Sequence, residues 1–69
     1  MIECTLSTLL GARRMSIAAL ARESGIRYAS LHALYTNKAT RYDAKTLAGI
    51  CATLGVGVGE LLVYVPGRS

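Results

Sequence analysis

Residues 17–34 read IAALARESGIRYASLHAL, and the spacing within this stretch decides the fold. Ala21 sits in the middle of a short apolar-periodic helix that Ser16 opens as an N-cap and Gly25 closes. Ile26, Leu31 and Leu34 carry the apolar side of a second helix, predicted over residues 27–36. Two helices that cross steeply need a small side chain where they touch, a residue tolerant of left-handed backbone at the turn, and inward apolar anchors beyond it. Ala21, Gly25 and the Ile26, Leu31, Leu34 set meet those demands in that order. Asn37 follows, and asparagine is the residue after glycine that best accepts the left-handed backbone of a helix stop.

Upstream, Leu6, Leu9 and Leu10 form the stripe of a first amphipathic helix that ends near Arg13 and Arg14, whose charge suits a helix C-terminus. Downstream, Thr40, Arg41 and Tyr42 make a loop, and Asp43 is a good N-cap for a fourth helix with Leu47, Ile50, Cys51 and Leu54 on one side. Gly55 stops it. A short fifth helix starts near Gly57, with Glu60 in its first turn and Leu61 and Leu62 pointing inward. Residues 63–65 are β-prone and end at Pro66 and Gly67. The run GVGVG at residues 55–59 lacks the lysine and the preceding strand of a phosphate loop, so its glycines are a helix stop and a helix start.

The 69 residues make one domain spanning 1–69, and 52% apolar against 17% charged content argues for a folded globule. So short a chain cannot hide all of its apolar side chains, which predicts a twofold homodimer. Eight Lys and Arg against four acids give a net charge of +4, suited to a polyanionic partner. Position sharpens this, since Arg22, Arg27, Lys38, Arg41 and Lys45 all fall in or just after the two-helix stretch. No apolar run approaches the roughly 20 residues of a membrane span and no signal-peptide pattern is present. A cytoplasmic protein with reduced Cys4 and Cys51 is expected. One histidine, four acids and two separated cysteines offer no nucleophile and base at usable spacing and no metal-ligand pattern. Enzyme activity, cofactor, metal, small-molecule ligand and a separate ligand-binding domain are therefore not expected.

The two-helix stretch, the Asp43-capped helix with its Ile50-Cys51 pair, and the closing LLVYVP resemble small free-standing members of the Cro/C1-type helix-turn-helix family along nearly the whole chain. The resemblance implies an all-α, five-helix, lambda-repressor-like DNA-binding domain, here with short β-prone termini. It implies a sequence-specific regulator of transcription, a repressor, that binds an inverted repeat in double-stranded DNA as a homodimer with the helix at 27–36 in the major groove. Base reading falls on Tyr28, Ala29, His32 and Ala33. A phenol can meet a base edge, the alanines can touch a thymine methyl, and the imidazole can donate to guanine. Phosphate or auxiliary contacts fall on Ser16, Arg27, Ser30, Thr36, Asn37, Lys38, Thr40 and Arg41.

Two positions depart from the family pattern. Ile17 stands where many members carry a phosphate-binding glutamine. Tyr35 stands where many carry a glutamate paired with a first-helix arginine, whose place Leu10 takes. With Leu31, Leu34 and Tyr35 all inward on a helical wheel, an apolar contact is expected to replace that ion pair.

Plainer roles stand beside these. Tyr28 is a DNA contact or an exposed aromatic; His32 is a base or phosphate contact, a solvated bystander, or a metal ligand without partners; Cys51 fills the core. The dimer surface is either Leu61 and Leu62 of the fifth helix, or a strand containing Val63 and Val65 that adds beside residues 2–4. Two other functions fit the same residues. One is a protein-interaction module or antitoxin-like partner, which Ala29 and Ala33 on an exposed helix face would suit. The other is nonspecific coating of DNA.

Overall fold

The structure, a computed structural model, describes residues 1–66; Gly67, expected to help end the tail, lies outside them. The elements are β1 (Ile2–Cys4), α1 (Leu6–Arg13), α2 (Ile17–Ser24), α3 (Tyr28–Tyr35), α4 (Ala44–Leu54), α5 (Val58–Leu61) and β2 (Leu62–Tyr64). Five helices thus form the body, and the β-prone ends meet as a two-stranded antiparallel ribbon pairing Ile2 with Tyr64, Glu3 with Val63 and Cys4 with Leu62.

The helix ends are set by the residues the sequence offers for them. The Ser16 hydroxyl accepts the Ala19 N–H at 3.0 Å, and an Asp43 carboxylate oxygen accepts the Thr46 N–H at 3.0 Å. Gly25 and Gly55 close α2 and α4 with φ of +74° and +69°, and each amide returns to the carbonyl four residues back. α5 is a single turn. It is held because the Glu60 carboxylate accepts the Gly57 N–H at 3.0 Å.

The core among the described residues is wholly apolar: Cys4, Leu6, Leu10, Leu20, Leu31, Leu34, Ile50, Leu54 and Leu61. Every element except β2 sends at least one side chain into it, so α3 is anchored by Leu31 and Leu34 against the rest of the body. α2 and α4 approach through the turn residue Ile26, whose Cδ1 would stand 3.0 Å from a β-carbon placed on Gly49. A side chain larger than hydrogen at Gly49 would have to push Ile26 aside.

Two expectations are corrected by the packing. Tyr35 is not a core residue: Leu31 and Leu34 are the buried side chains of α3, and Tyr35 keeps 37% of its surface exposed. Leu61 cannot be a dimer residue, because it is 0% exposed within its own protomer. The strand that was to pair with residues 2–4 of a second copy pairs with them inside the same chain, leaving Leu62 half-buried and Val63 at the surface.

Candidate nucleic-acid interface

The turn that presents α3 is built from three neighbouring residues. Gly25 takes the left-handed backbone, and its N–H donates to the Ala21 carbonyl at 2.9 Å. The Ser24 hydroxyl donates to the Leu20 carbonyl at 2.7 Å and accepts the Ile26 N–H at 3.2 Å. That serine satisfies an amide the turn would otherwise strand, a role the sequence pattern did not single out.

α3 emerges from the turn with its core side down and the other side bare. Arg27, Tyr28, Ala29 and His32 are exposed, while Ser30 and Ala33 are half-buried. Tyr28 and His32, one helical turn apart, stack with ring centroids 6.1 Å apart and planes 19° from parallel. They form one continuous aromatic surface with polar atoms at its edges. Arg27 takes the N-cap position without a side-chain cap, so the first amides of α3 face outward at the positive end of the helix. At eight residues the helix is about 12 Å long, close to the width of a major groove.

Beyond α3 the chain turns back on itself. The Lys38 and Ala39 amides both donate to the Ala33 carbonyl, at 2.9 and 3.2 Å. The loop then closes an open hollow of about 360 Å³ that brings Ser30 and Ala33 of α3 together with Lys38, Thr40 and Arg41 and reaches Thr46 on α4. Lys38, Thr40 and Arg41 are all exposed there. Two cations, the Ser30 and Thr40 hydroxyls and a concave shape fit an anionic oxygen cluster. Asp43 also lines the hollow, with its carboxylate accepting from the Thr46 amide and hydroxyl.

Several predicted contacts are already occupied inside the protein. The Thr36 hydroxyl donates to the His32 carbonyl at 2.9 Å, leaving its lone pairs as its remaining capacity. Ser16 is committed as the α2 cap, though it is exposed at that helix end. The Asn37 amide is bonded on both sides to the main chain of Cys4. Ile17 is half-buried and packs against the core. Arg13, read as favouring the α1 C-terminus, reaches further, donating to the Leu54 carbonyl at 2.8 Å across 41 residues. It thereby caps α4 as well.

Among the described residues there is no cluster of three metal-ligating side chains, and no helix is long and apolar enough to cross a membrane. No curated protein and no solved structure matches the chain. Among protein families, residues 5–67 match the Cro/C1-type HTH DNA-binding domain. That span takes in every helix and the whole of the α3 face and its flanking loop. The chain thus belongs to the Cro/C1-type HTH DNA-binding domain family, a family of DNA-binding regulators.

Proposed function

We propose that the protein is a sequence-specific repressor of transcription that lays α3 in the major groove of an inverted repeat and acts as a homodimer. The observation that carries this is the pairing of an exposed, aromatic and uncapped α3 face with a cationic loop that returns to the same helix. The face can read bases, and the loop can hold the backbone that frames them.

In this arrangement Tyr28 and His32 approach the bases as a stacked pair. His32 donates to guanine N7 or O6, and Tyr28 uses its hydroxyl on a base edge or a phosphate. Ala29 leaves room for the groove floor and contacts a thymine methyl. Ala33, half-buried beside Lys38, allows close approach of a sugar-phosphate wall. Arg27, Lys38 and Arg41 supply charge for phosphates, assisted by Ser30, Thr40 and the exposed Ser16 end of α2. Repression follows from occupancy, since a domain seated across a promoter denies the groove to other proteins.

A twofold partner would meet the terminal ribbon. Met1, Ile2, Val63 and Tyr64 are exposed there at 59, 46, 37 and 70%, and the outer edge of β2 has no strand beside it among the described residues. Val63 stays in the dimer surface on this basis, with Leu62 and Val65 at its half-buried margin. The apolar hollow lined by Ala44, Leu47, Ala48, Cys51 and Val58 favours a second role, docking of a protein partner on α4.

Selection from a random duplex pool tests the proposal. Enrichment of a palindrome with half-sites about one helical turn apart supports it. A pool that stays random indicates nonspecific coating, and tight salt-insensitive capture of a protein without duplex binding indicates the interaction module.

A further inference from the structure

A helix that reads bases must be held at one angle to the groove, and the core beneath α3 fixes it through Leu31 and Leu34 alone among its fully buried side chains. A third attachment lies at its C-terminal end. Asn37 has a left-handed backbone with φ of +58°, and its side chain turns toward β1. The Cys4 N–H donates to Asn37 Oδ1 at 2.7 Å, and Asn37 Nδ2 donates to the Cys4 carbonyl at 3.2 Å, across 33 residues of chain. The carboxamide thus does what a neighbouring strand would do, offering one donor and one acceptor to the free edge of β1.

The ladder explains why that edge is free. The Thr5 N–H donates to the Leu61 carbonyl at 2.7 Å and the Val65 N–H to the Met1 carbonyl at 2.7 Å, so the odd-numbered residues of β1 face β2. Cys4 faces the other way, toward α3. Its side chain is 4% exposed, and its main-chain groups sit where an unmade hydrogen bond is expensive. Few residues fit both demands at position 37. Glycine accepts the backbone but brings no bonds, aspartate lacks the donor, and other polar residues resist positive φ.

We propose that Asn37 is a positioning residue for base reading: by clasping the Cys4 main chain it ties the end of α3 to the terminal ribbon and fixes the angle at which Tyr28, Ala29 and His32 meet the groove. This rests on the DNA-binding function above. Sequence discrimination depends on that angle, whereas charge-driven binding to any duplex does not.

Two variants separate the clasp from its backbone. Asn37→Gly keeps the left-handed conformation and deletes both bonds. An ester in place of the Glu3–Cys4 amide in the synthesised full chain deletes the N–H to Oδ1 bond and keeps the Nδ2 bond to the Cys4 carbonyl. Each is titrated, over a range of salt, with the duplex that the wild-type chain enriches from a random pool and with an unrelated duplex of equal length. Affinity of Asn37→Gly for the enriched duplex should fall about five- to thirtyfold, affinity for the unrelated duplex should stay within about twofold, and the salt slope should not change. The ester should fall less, and should add less on the Asn37→Gly background than on wild type.

Equal losses on both duplexes would make Asn37 a direct backbone contact and overturn the proposal, as would undiminished affinity for the enriched duplex or additive losses. Should Asn37→Gly not fold, the ester chain decides by the same two-duplex comparison. A wild-type chain that enriches no sequence overturns the functional proposal itself, whereas enrichment by wild type matched in full by the variants overturns the positioning role alone.

Discussion

Replacing Gly25 by alanine isolates the backbone requirement of the turn that presents α3. At φ of +74° an L-residue sits in the left-handed region, at a cost of about 1–2 kcal/mol. A β-carbon at this position meets nothing within 4 Å, so no steric contribution is added. Alanine also restricts the unfolded chain, which returns about 0.4–1 kcal/mol. The net loss is about 1 kcal/mol, a fall in Tm of about 4–8 °C for a domain of this length. Thermal and urea unfolding followed by circular dichroism measures it. Gly55→Ala provides an internal standard, since φ is +69° and the surroundings are equally open, so the two losses should agree. A neutral or stabilising Gly25→Ala would refute the left-handed turn, and a loss above about 3 kcal/mol would mean that the methyl group strikes something.

Three further outcomes follow from the packing and the charges. Lys38→Gln and Arg41→Gln should each flatten the dependence of log affinity on log salt by about one unit, measured by fluorescence anisotropy with a labelled duplex. Gly49→Ala gains about 1 kcal/mol of helix propensity but meets Ile26 Cδ1 at 3.0 Å, and Ile26→Val removes that atom. The double variant should exceed the sum of the singles by about 0.5 kcal/mol or more in urea unfolding, and strict additivity would deny the contact. Burial pushes the Cys4 thiol above its ordinary value of 9.0, so the fold favours the neutral thiol. Its stabilising contribution is complete below pH 9.0 and is lost as pH rises through the raised folded value, so the urea midpoint of wild type should approach that of Cys4→Ala in that window.

Local stereochemistry was legible in the residues themselves. Ser16, Gly25, Asp43 and Gly55 do in space what their types predict, because caps and left-handed stops involve neighbours three or four residues away. The exposed set at Arg27, Tyr28, Ala29 and His32 followed from helical period for the same reason. Tyr35 escaped this logic. A helical wheel gives the angle of a side chain but not how much of it the rest of the fold covers, and only Leu31 and Leu34 of α3 are fully buried.

Contacts that join distant segments were invisible for a different reason. The Arg13 clasp on Leu54, the Ile26 approach to Gly49 and the Asn37 bonds to Cys4 depend on which helix ends arrive together. No spacing within one segment encodes them. The β tendency near Val63 was readable, but not that its partner lies in the same chain, because an edge strand accepts either. Leu61 looked like interface material because apolar type alone does not separate a core residue from a dimer residue.

The most direct test maps the binding surface on the protein. In a nuclear magnetic resonance titration of the isotope-labelled chain with its enriched duplex, the amides of Tyr28, Ala29 and His32 and those of Lys38, Thr40 and Arg41 should shift together, while Ala48 and Val58 on the α4–α5 side stay in place. Shifts confined to that far side, with α3 and its loop unmoved, would contradict the account.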